Sequence, residues 1–159
     1  MSSKEALRYN TGKTQYSYID MESLKPVADV LAYGAHKYSV FEDKEGKEVQ
    51  GVDITPNEAK NLKVIRSGRD QWKDGFPFNQ LLDSLLRHIV ALQNGEYLDP
   101  ESSLPHIGHI GCNMMFISHG MENHPEHLPD NLKKALMATK GQCETALKLH
   151  PRVALGIIV

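Results

Sequence analysis

The stretch Asn79-Gln80-Leu81-Leu82-Asp83-Ser84-Leu85-Leu86-Arg87-His88-Ile89-Val90-Ala91-Leu92-Gln93-Asn94-Gly95 decides the fold class. Its leucine, isoleucine and valine residues recur at steps of three and four, which places them on one wide apolar stripe of a helix. Asn79 is a good N-cap residue and Asn94-Gly95 is typical of a helix end. We therefore predict a long amphipathic helix here, with an apolar face that needs partners.

The same periodicity predicts three further helices. One covers about residues 23–38. Another is capped by Ser103 and followed by a His- and Pro-bearing loop over 118–129, and the last is capped by Asp130 and ends at Pro151. We therefore predict an all-α fold, a helical bundle whose interior offers ligand and metal sites.

Two segments depart from the helical pattern. Residues 39–75 are charged and rich in glycine, so we expect an irregular or small β excursion between the first two helices, in which Lys63-Val64-Ile65 pairs as a strand. The apolar tail 151–159 is expected to pack on this subunit or on a neighbour. We treat residues 1–159 as a single domain.

Composition narrows the class of protein. Eighteen Lys and Arg residues against twenty Asp and Glu leave a formal charge of −2, so general attraction to nucleic acid or to anionic membranes is not indicated. Cys112 and Cys143 form no C-x-x-C motif, which argues against a disulfide scaffold and a cysteine zinc site. With no signal peptide or membrane span expected from the sequence, we predict a cytoplasmic protein.

Polar residues on the helix of residues 79–95 form the pairs Asp83/Arg87 and Ser84/His88 at spacing i,i+4. Taken alone, these pairs are most simply a solvated face with one ion pair. The residues of the next helix make a functional interpretation of these pairs more favourable.

There His106, His109 and Asn113 recur at i, i+3 and i+7, opposite a stripe of isoleucine and methionine. Two imidazoles one turn apart have the spacing of metal ligands, although a single histidine is more often satisfied by hydrogen bonds. Gly108 and Gly111 lower helix stability and so indicate close approach of a ligand or of another helix.

Three carboxylates, Glu96, Asp99 and Glu101, lie between these two helices in the sequence. Together with imidazoles they suit divalent cations that hold a polyphosphate: Mg²⁺ or Mn²⁺, with Co²⁺ or Zn²⁺ also compatible. Asp99 has an alternative interpretation as a turn residue before Pro100, and Glu101 as a favourable charge ahead of a helix.

Basic and aromatic residues supply candidates for contacts with phosphate and base, since Lys and Arg suit phosphates and aromatic rings stack on bases. A sole tryptophan such as Trp72 is more often a core residue than a platform for a base. His119, His124 and His127 are interpreted as exposed or adventitious metal binders. The complete candidate set for substrate binding is Arg8, Asn10, Lys13, Lys37, Tyr38, Trp72, Lys73, Arg87 and Asn113.

Several of these residues form an ordered series of motifs from Arg8 to about Phe116. The motifs are Arg8-x-Asn10-x-Gly12-Lys13, Gly34-Ala35-x-Lys37-Tyr38, Leu82-Asp83-x-x-Leu86-Arg87-His88, Gly95-Glu96-x-x-Asp99-Pro100-Glu101-Ser102 and His106-x-x-His109-x-x-x-Asn113. The series resembles the phage dATP/dGTP diphosphohydrolases of the MazZ type, which are related to the all-α MazG-like nucleotide pyrophosphatases. His106 and His109 occupy the place where the wider MazG group carries Glu-x-x-Asp.

The resemblance implies metal-dependent cleavage of a purine deoxynucleoside triphosphate, dGTP or dATP, to the monophosphate and pyrophosphate. In phages whose DNA contains 2-aminoadenine, such enzymes supply dGMP for the modified nucleotide. It also implies a MazG-like bundle that assembles as a homo-oligomer, a dimer or tetramer, in the host cytoplasm, with no nucleic acid or membrane partner.

Residues and resemblance together give a mechanism as a hypothesis. Metal ions that bridge the triphosphate would position a water for attack on the α-phosphorus, with Glu96 or Glu101 as the base. The expected metal ligands are Asp83, His88, Glu101, His106 and His109. The alternative is a non-catalytic phage accessory protein that binds a metal or nucleotide, and the two interpretations differ in whether these carboxylates and histidines converge in one cleft. A triphosphohydrolase of the HD type ranks third, since no adjacent His-Asp pair is present.

Overall fold

A computed structural model describes the backbone of residues 16–149 and the side-chain surroundings of residues 16–139. The predicted contacts of Arg8, Asn10 and Lys13 and the packing of the tail 151–159 therefore lie outside the described residues. By their internal contacts the residues divide into two compact units, and the larger, Asp20–Pro129, carries the features that follow. The described part of the other unit contains a 3-10 turn, Tyr16–Tyr18, and one long helix.

Helices form most of the described structure, as the sequence predicts. They are α1 (Lys25–Lys37), the single turn α2 (Pro56–Ala59), α3 (Phe78–Gln93), α4 (His106–Asn123) and, in the other unit, α5 (Asp130–Leu149). No helix of the described residues is long and apolar enough to cross a membrane.

The predicted N-caps of α3 and α4 are wrong. Pro77 and Pro105 occupy the cap positions, and neither helix has a side-chain cap. Proline has a fixed φ and no N–H, so it suits this end of a helix and starts α3 before Asn79 can act as its cap. Ser103 has a positive φ of 58°, and a β-bridge from Leu98 to Pro105 holds its loop outside the helix.

The histidine- and proline-bearing loop is also shorter than expected, because α4 continues to Asn123. Residues 118–123 of the predicted loop are therefore helical. Only the short segment before α5, which includes a 3-10 turn at Pro125–His127, separates the two helices.

The excursion over residues 39–75 contains a small antiparallel sheet. Its strands are β1 (Val40–Glu42), β2 (Glu48–Gln50) and β3 (Lys63–Arg66), in the order β2-β1-β3. Phe41 of β1 pairs with Val49 on one side and with Val64 on the other. The strand predicted at Lys63-Val64-Ile65 is confirmed. A capping box at Thr55 starts α2, where Thr55 Oγ1 accepts a hydrogen bond from Glu58 N.

Close packing of α1 against α4 explains Gly108 and Gly111, two of the three glycines of α4. A Cβ on Gly108 would lie 2.4 Å from the Pro26 carbonyl oxygen, and one on Gly111 would lie 2.4 Å from Val27 Cγ2. The sequence left a ligand or a second helix as alternatives, and the described contact is a helix. Helix α4 also packs against α3, so it is held between α1 and α3.

The face of α4 that is buried differs from the expected one. His106, Cys112 and Asn113 are buried, whereas Ile107 and Met114 of the apolar stripe are 50% and 59% exposed. The small residues allow α1 to approach, and this contact decides the orientation of the helix.

Candidate active site

A cleft of about 1200 Å³ lies in the larger unit and is lined by α1, α3, α4 and two loops. The first loop follows β3 and includes a 3-10 turn at Gln71–Asp74, and the second joins α3 to α4. The cleft therefore collects residues that are distant in the sequence. Nine of the predicted site residues line it: Lys37, Tyr38, Trp72, Asp83, Arg87, His88, Glu101, His109 and Asn113.

Three histidines meet where α3 passes α4. His88 Nδ1 lies 2.8 Å from His106 Nδ1, so one of these nitrogens donates a hydrogen bond to the other. The rings of His88 and His109 are stacked, with centroids 4.5 Å apart and planes at 16°. Burial lowers the pKa of both His88 and His109, and the mutual proximity of the rings adds to this effect. The neutral form, which is the form that binds metal ions, is therefore favoured for His88 and His109.

Asp99 completes this group from the loop before α4. Ligand atoms of His88, Asp99 and His106 lie within 4.8 Å of one another. Burial raises the pKa of Asp99, but hydrogen bonds from Ser102 and the nearby histidines outweigh this and leave the pKa below its ordinary value. The group thus combines two imidazoles with a carboxylate whose ionised form is favoured.

One nitrogen of the group is buried without a hydrogen-bond partner among the described residues. It is the Nε2 atom of His106, a residue that is only 3% exposed. An unpaired buried polar atom costs about 1–3 kcal/mol. Two imidazoles and a carboxylate are a donor set that suits Mn²⁺, Co²⁺ or Zn²⁺, so the residues present fit a divalent ion.

A hydrogen-bonded turn holds Asp99 in place. Asp99 Oδ2 accepts hydrogen bonds of 2.8 Å from both the backbone N and the Oγ of Ser102. Because the Ser102 hydroxyl donates its only proton to Asp99, His109 Nε2, at 2.8 Å from Ser102 Oγ, must be the donor in that contact. This chain fixes the His109 tautomer and leaves the lone pair on Nδ1.

Glu101 is placed at the rim of the cleft, where its side chain is 62% exposed and accepts an ion-pair hydrogen bond from Lys37 Nζ. This bond raises the pKa of Lys37. Tyr33 lies beside the same pair: the Lys37 ammonium is 5.9 Å from the centre of its ring. The lining of the cleft therefore carries a cation, paired with Glu101, whose charge also acts on His109.

Asn113 is part of the α3–α4 contact. Its Nδ2 donates to the His109 carbonyl at 2.9 Å and to Ser84 Oγ at 3.3 Å. Asp83 and Arg87 are exposed on the lining of the cleft. Of the residues predicted from the sequence, Glu96 and Lys73 are exposed and are not among the described residues of the lining.

Trp72 lines the cleft, but one face of its ring is already occupied. It stacks on Phe116 with centroids 5.3 Å apart and planes at 27°. Trp72 therefore packs against another aromatic ring, as expected of a core residue, and also lines the cleft. Tyr38, at 54% exposure, is the freer aromatic ring of the lining.

Sequence reasoning did not select Asp99 as a ligand, because a turn residue before Pro100 explained it equally well. It also missed Arg66, the last residue of β3, and Arg69 in the loop after β3, both of which line the cleft. Ser39 anchors this loop, since its Oγ accepts a 2.8 Å hydrogen bond from the buried Gly68 N. A Ser-Gly-Arg turn following a strand was the available signal for this loop.

Comparison with known proteins identifies the family. A family model described as dATP/dGTP diphosphohydrolase, N-terminal, matches residues 3–129, which include the entire cleft lining. The chain belongs to this family. A dATP/dGTP diphosphohydrolase of Salmonella phage PMBT28 is 28% identical over 119 residues, which cover 75% of this chain. The chain spans about a third of that relative, 31% of its length. No solved structure matches, so the MazG-like relationship of the bundle stays a prediction.

Proposed function

We propose that the chain hydrolyses the purine deoxynucleoside triphosphates dATP and dGTP to the monophosphate and pyrophosphate, with a divalent metal ion as cofactor. The observation that carries the proposal is the group of His88, Asp99 and His106, of which His88 and Asp99 line a cleft that also presents cationic side chains. Membership of the dATP/dGTP diphosphohydrolase N-terminal family supports the substrate class.

The charges of the lining suit a polyphosphate. Lys37, Arg66, Arg69 and Arg87 reach the cleft from three different elements. Charge-assisted hydrogen bonds from such side chains are stronger than neutral ones, and arginine pairs with phosphate in a bidentate fashion. These cations orient the triphosphate, and Tyr38 offers an exposed ring for the purine.

His88, Asp99 and His106 would hold the metal ion, with His109 beside them. When bound, a divalent ion neutralises charge on the phosphate oxygens and lowers the pKa of a coordinated water. The turn at Ser102 keeps Asp99 oriented, and the His106 ring, buried behind His88, restricts the movement of that ring. Asp83, selected as a ligand from the sequence, lines the same cleft and remains a candidate for a second ion.

Glu101 is our candidate for the group that accepts the proton of the attacking water. Its carboxylate is exposed at the rim and paired with Lys37. Once Lys37 turns to a phosphate oxygen, the Glu101 carboxylate is released to act as a base. Glu96, the other base suggested by the sequence, is outside the described lining.

The test is incubation of the purified protein with each deoxynucleoside triphosphate and Mg²⁺, Mn²⁺ or Co²⁺. Chromatography separates mono-, di- and triphosphates, and pyrophosphate is detected in parallel. We expect dGMP or dAMP with equimolar pyrophosphate. Triphosphate or free phosphate as the co-product would refute attack at the α-phosphorus.

Matched aspartate variants test the site. Asp99→Asn removes the carboxylate charge yet keeps an oxygen that accepts the Ser102 hydrogen bonds, whereas Asp53→Asn alters an exposed aspartate outside the described lining. We expect the first to lose at least about tenfold in activity and the second to match the wild type. Equal activity of the two variants would exclude Asp99 from the site. If the wild type binds Mn²⁺ but turns over no triphosphate, the accessory-protein alternative replaces this proposal.

Three further predictions from the sequence belong to this proposal. These are a role in making 2-aminoadenine DNA, assembly as a homo-oligomer, and residence in the host cytoplasm. The phage origin of the relative supports the first and the last of these, and the assembly rests on the family resemblance.

A further inference from the structure

A second histidine cluster lies at the C-terminal end of α4, and we call it the His124 cluster: His124, Glu126 and His127. One ligand atom from each of these residues lies within 4.8 Å of the others. The sequence suggested only adventitious binding here. We propose that the His124 cluster is a second binding site for a divalent transition-metal ion of the Zn²⁺ type.

The hydrogen bond of His124 determines which of its ring nitrogens is available to a metal ion. Its Nε2 lies 2.7 Å from the carbonyl oxygen of Lys73, which can only accept, so Nε2 carries the proton. Nδ1 of the neutral ring then holds the lone pair. A histidine that donates one N–H to a backbone carbonyl and presents its other nitrogen is the usual arrangement of a metal ligand.

Further possible ligand atoms lie close to His124 Nδ1. His124 Nδ1 lies 3.2 Å from Glu126 Oε1, and the same oxygen lies 3.9 Å from His127 Nε2. This 3.2 Å contact is a hydrogen bond when the ring carries a proton on Nδ1, and a divalent ion bound between the same two atoms would replace that proton. Two imidazoles and one carboxylate, with room for water, form a donor set that Zn²⁺ uses in proteins.

Both rings are firmly placed but open to solvent. They are nearly parallel, with planes at 13°, and a Cβ on Gly75 would lie 2.8 Å from His124 Cγ and 2.9 Å from His127 Nδ1. Gly75 has a φ of +84°, which glycine adopts without strain. The side chains of His124 and His127 are 22% and 35% exposed, so an ion can enter.

His119 is excluded as a ligand although it is adjacent. Its Nε2 faces the Lys73 carbonyl at 3.2 Å, and its Nδ1 is within 3.1 Å of Asn123 Nδ2, so both nitrogens have partners. Its ring also contacts the edge of Trp72, with centroids 5.0 Å apart. Because His124 contacts the Lys73 carbonyl, an ion bound to the His124 cluster would fasten the end of α4 to the turn Gln71–Asp74. This turn carries Trp72 and forms one wall of the cleft.

The position of Trp72, the sole tryptophan, gives a direct readout. Co²⁺ quenches tryptophan fluorescence at short range, and the Trp72 ring reaches His124 through one intervening ring, His119. The untagged chain is titrated with Co²⁺, and Zn²⁺ binding is measured by calorimetry. We expect quenching in the micromolar range, with the Glu126→Gln variant needing about tenfold more Co²⁺ or higher.

Three variants make the result decisive. His124→Ala/His127→Ala is expected to lose the high-affinity quenching phase and one Zn²⁺ equivalent. His119→Gln is expected to retain both, and Asp99→Asn, which alters the other site, is expected to retain the quenching phase. Circular dichroism checks that each variant is folded, and Glu126, at 61% exposure, is replaced without loss of packing. The proposal is overturned if the double variant retains the phase, or if wild-type quenching appears only at millimolar Co²⁺.

Discussion

Replacing Gly108 by alanine tests the contact that orients α4. A Cβ at this position would lie 2.4 Å from the Pro26 carbonyl oxygen, 2.8 Å from the Pro26 carbonyl carbon and 2.9 Å from Val30 Cγ2. Two of these atoms belong to the backbone of α1, so no side-chain rotation relieves the clash. The two helices must move apart instead.

Two opposing contributions determine whether Gly108→Ala lowers or raises the free energy of unfolding. Overpacking a well-packed contact costs typically about 1–3 kcal/mol, and a backbone clash this close belongs at ~3 kcal/mol. Alanine is preferred to glycine in a helix by ~1 kcal/mol. We therefore expect Gly108→Ala to lower the free energy of unfolding by a net ~2 kcal/mol.

Gly120 provides a matched control within the same helix. A Cβ there meets no atom within 4 Å, so Gly120→Ala should gain about 0.4–1 kcal/mol. Urea unfolding followed by circular dichroism measures both variants at equal pH and salt. If Gly108→Ala is as stable as Gly120→Ala, the close packing of α1 on α4 and the explanation for the buried face of α4 are both wrong.

Two other perturbations test neighbouring contacts. Ser39→Ala removes the partner of the buried Gly68 N–H, so we expect the free energy of unfolding to fall by about 1–3 kcal/mol, against less than ~0.5 kcal/mol for the exposed Ser67→Ala. Burial raises the pKa of the Cys112 thiol from 9.0 to about 11. In a Cys143→Ser background, iodoacetamide should therefore alkylate native Cys112 about 100-fold more slowly than the unfolded chain at pH 8, with the rate rising as pH approaches 11; equal rates would show an accessible thiol.

Local sequence was sufficient for the elements of this fold. The apolar period around Leu81 predicted α3, and the end at Gly95 is confirmed by its positive φ of 85°. The pattern at residues 23–38 predicted α1, and of the two alternatives for the segment after it, irregular or small β, the structure has the small sheet. These features depend on the spacing of residues a few positions apart, which a sequence shows directly.

Helix starts were less predictable, because the residue that begins a helix depends on how the preceding loop is held. The bridge from Leu98 to Pro105 keeps Ser103 out of α4, although its side chain suits a cap. The same loop converts Asp99 from a plausible turn residue into a partner of two histidines. Neither contact is visible within a short window of sequence.

For the candidate site, the sequence determined which residues share an edge of α4, and the tertiary structure determined what that edge contacts. Spacing alone placed His106 and His109 on one edge of a helix and identified them as candidate ligands. Only packing decided that His88 meets them and that the edge is buried while Ile107 is half exposed. The physical reason is that an apolar stripe records how hydrophobic a face is, whereas burial also depends on how closely a partner can approach. Gly108 allows α1 to approach the backbone of α4, and this contact turns the histidines inward.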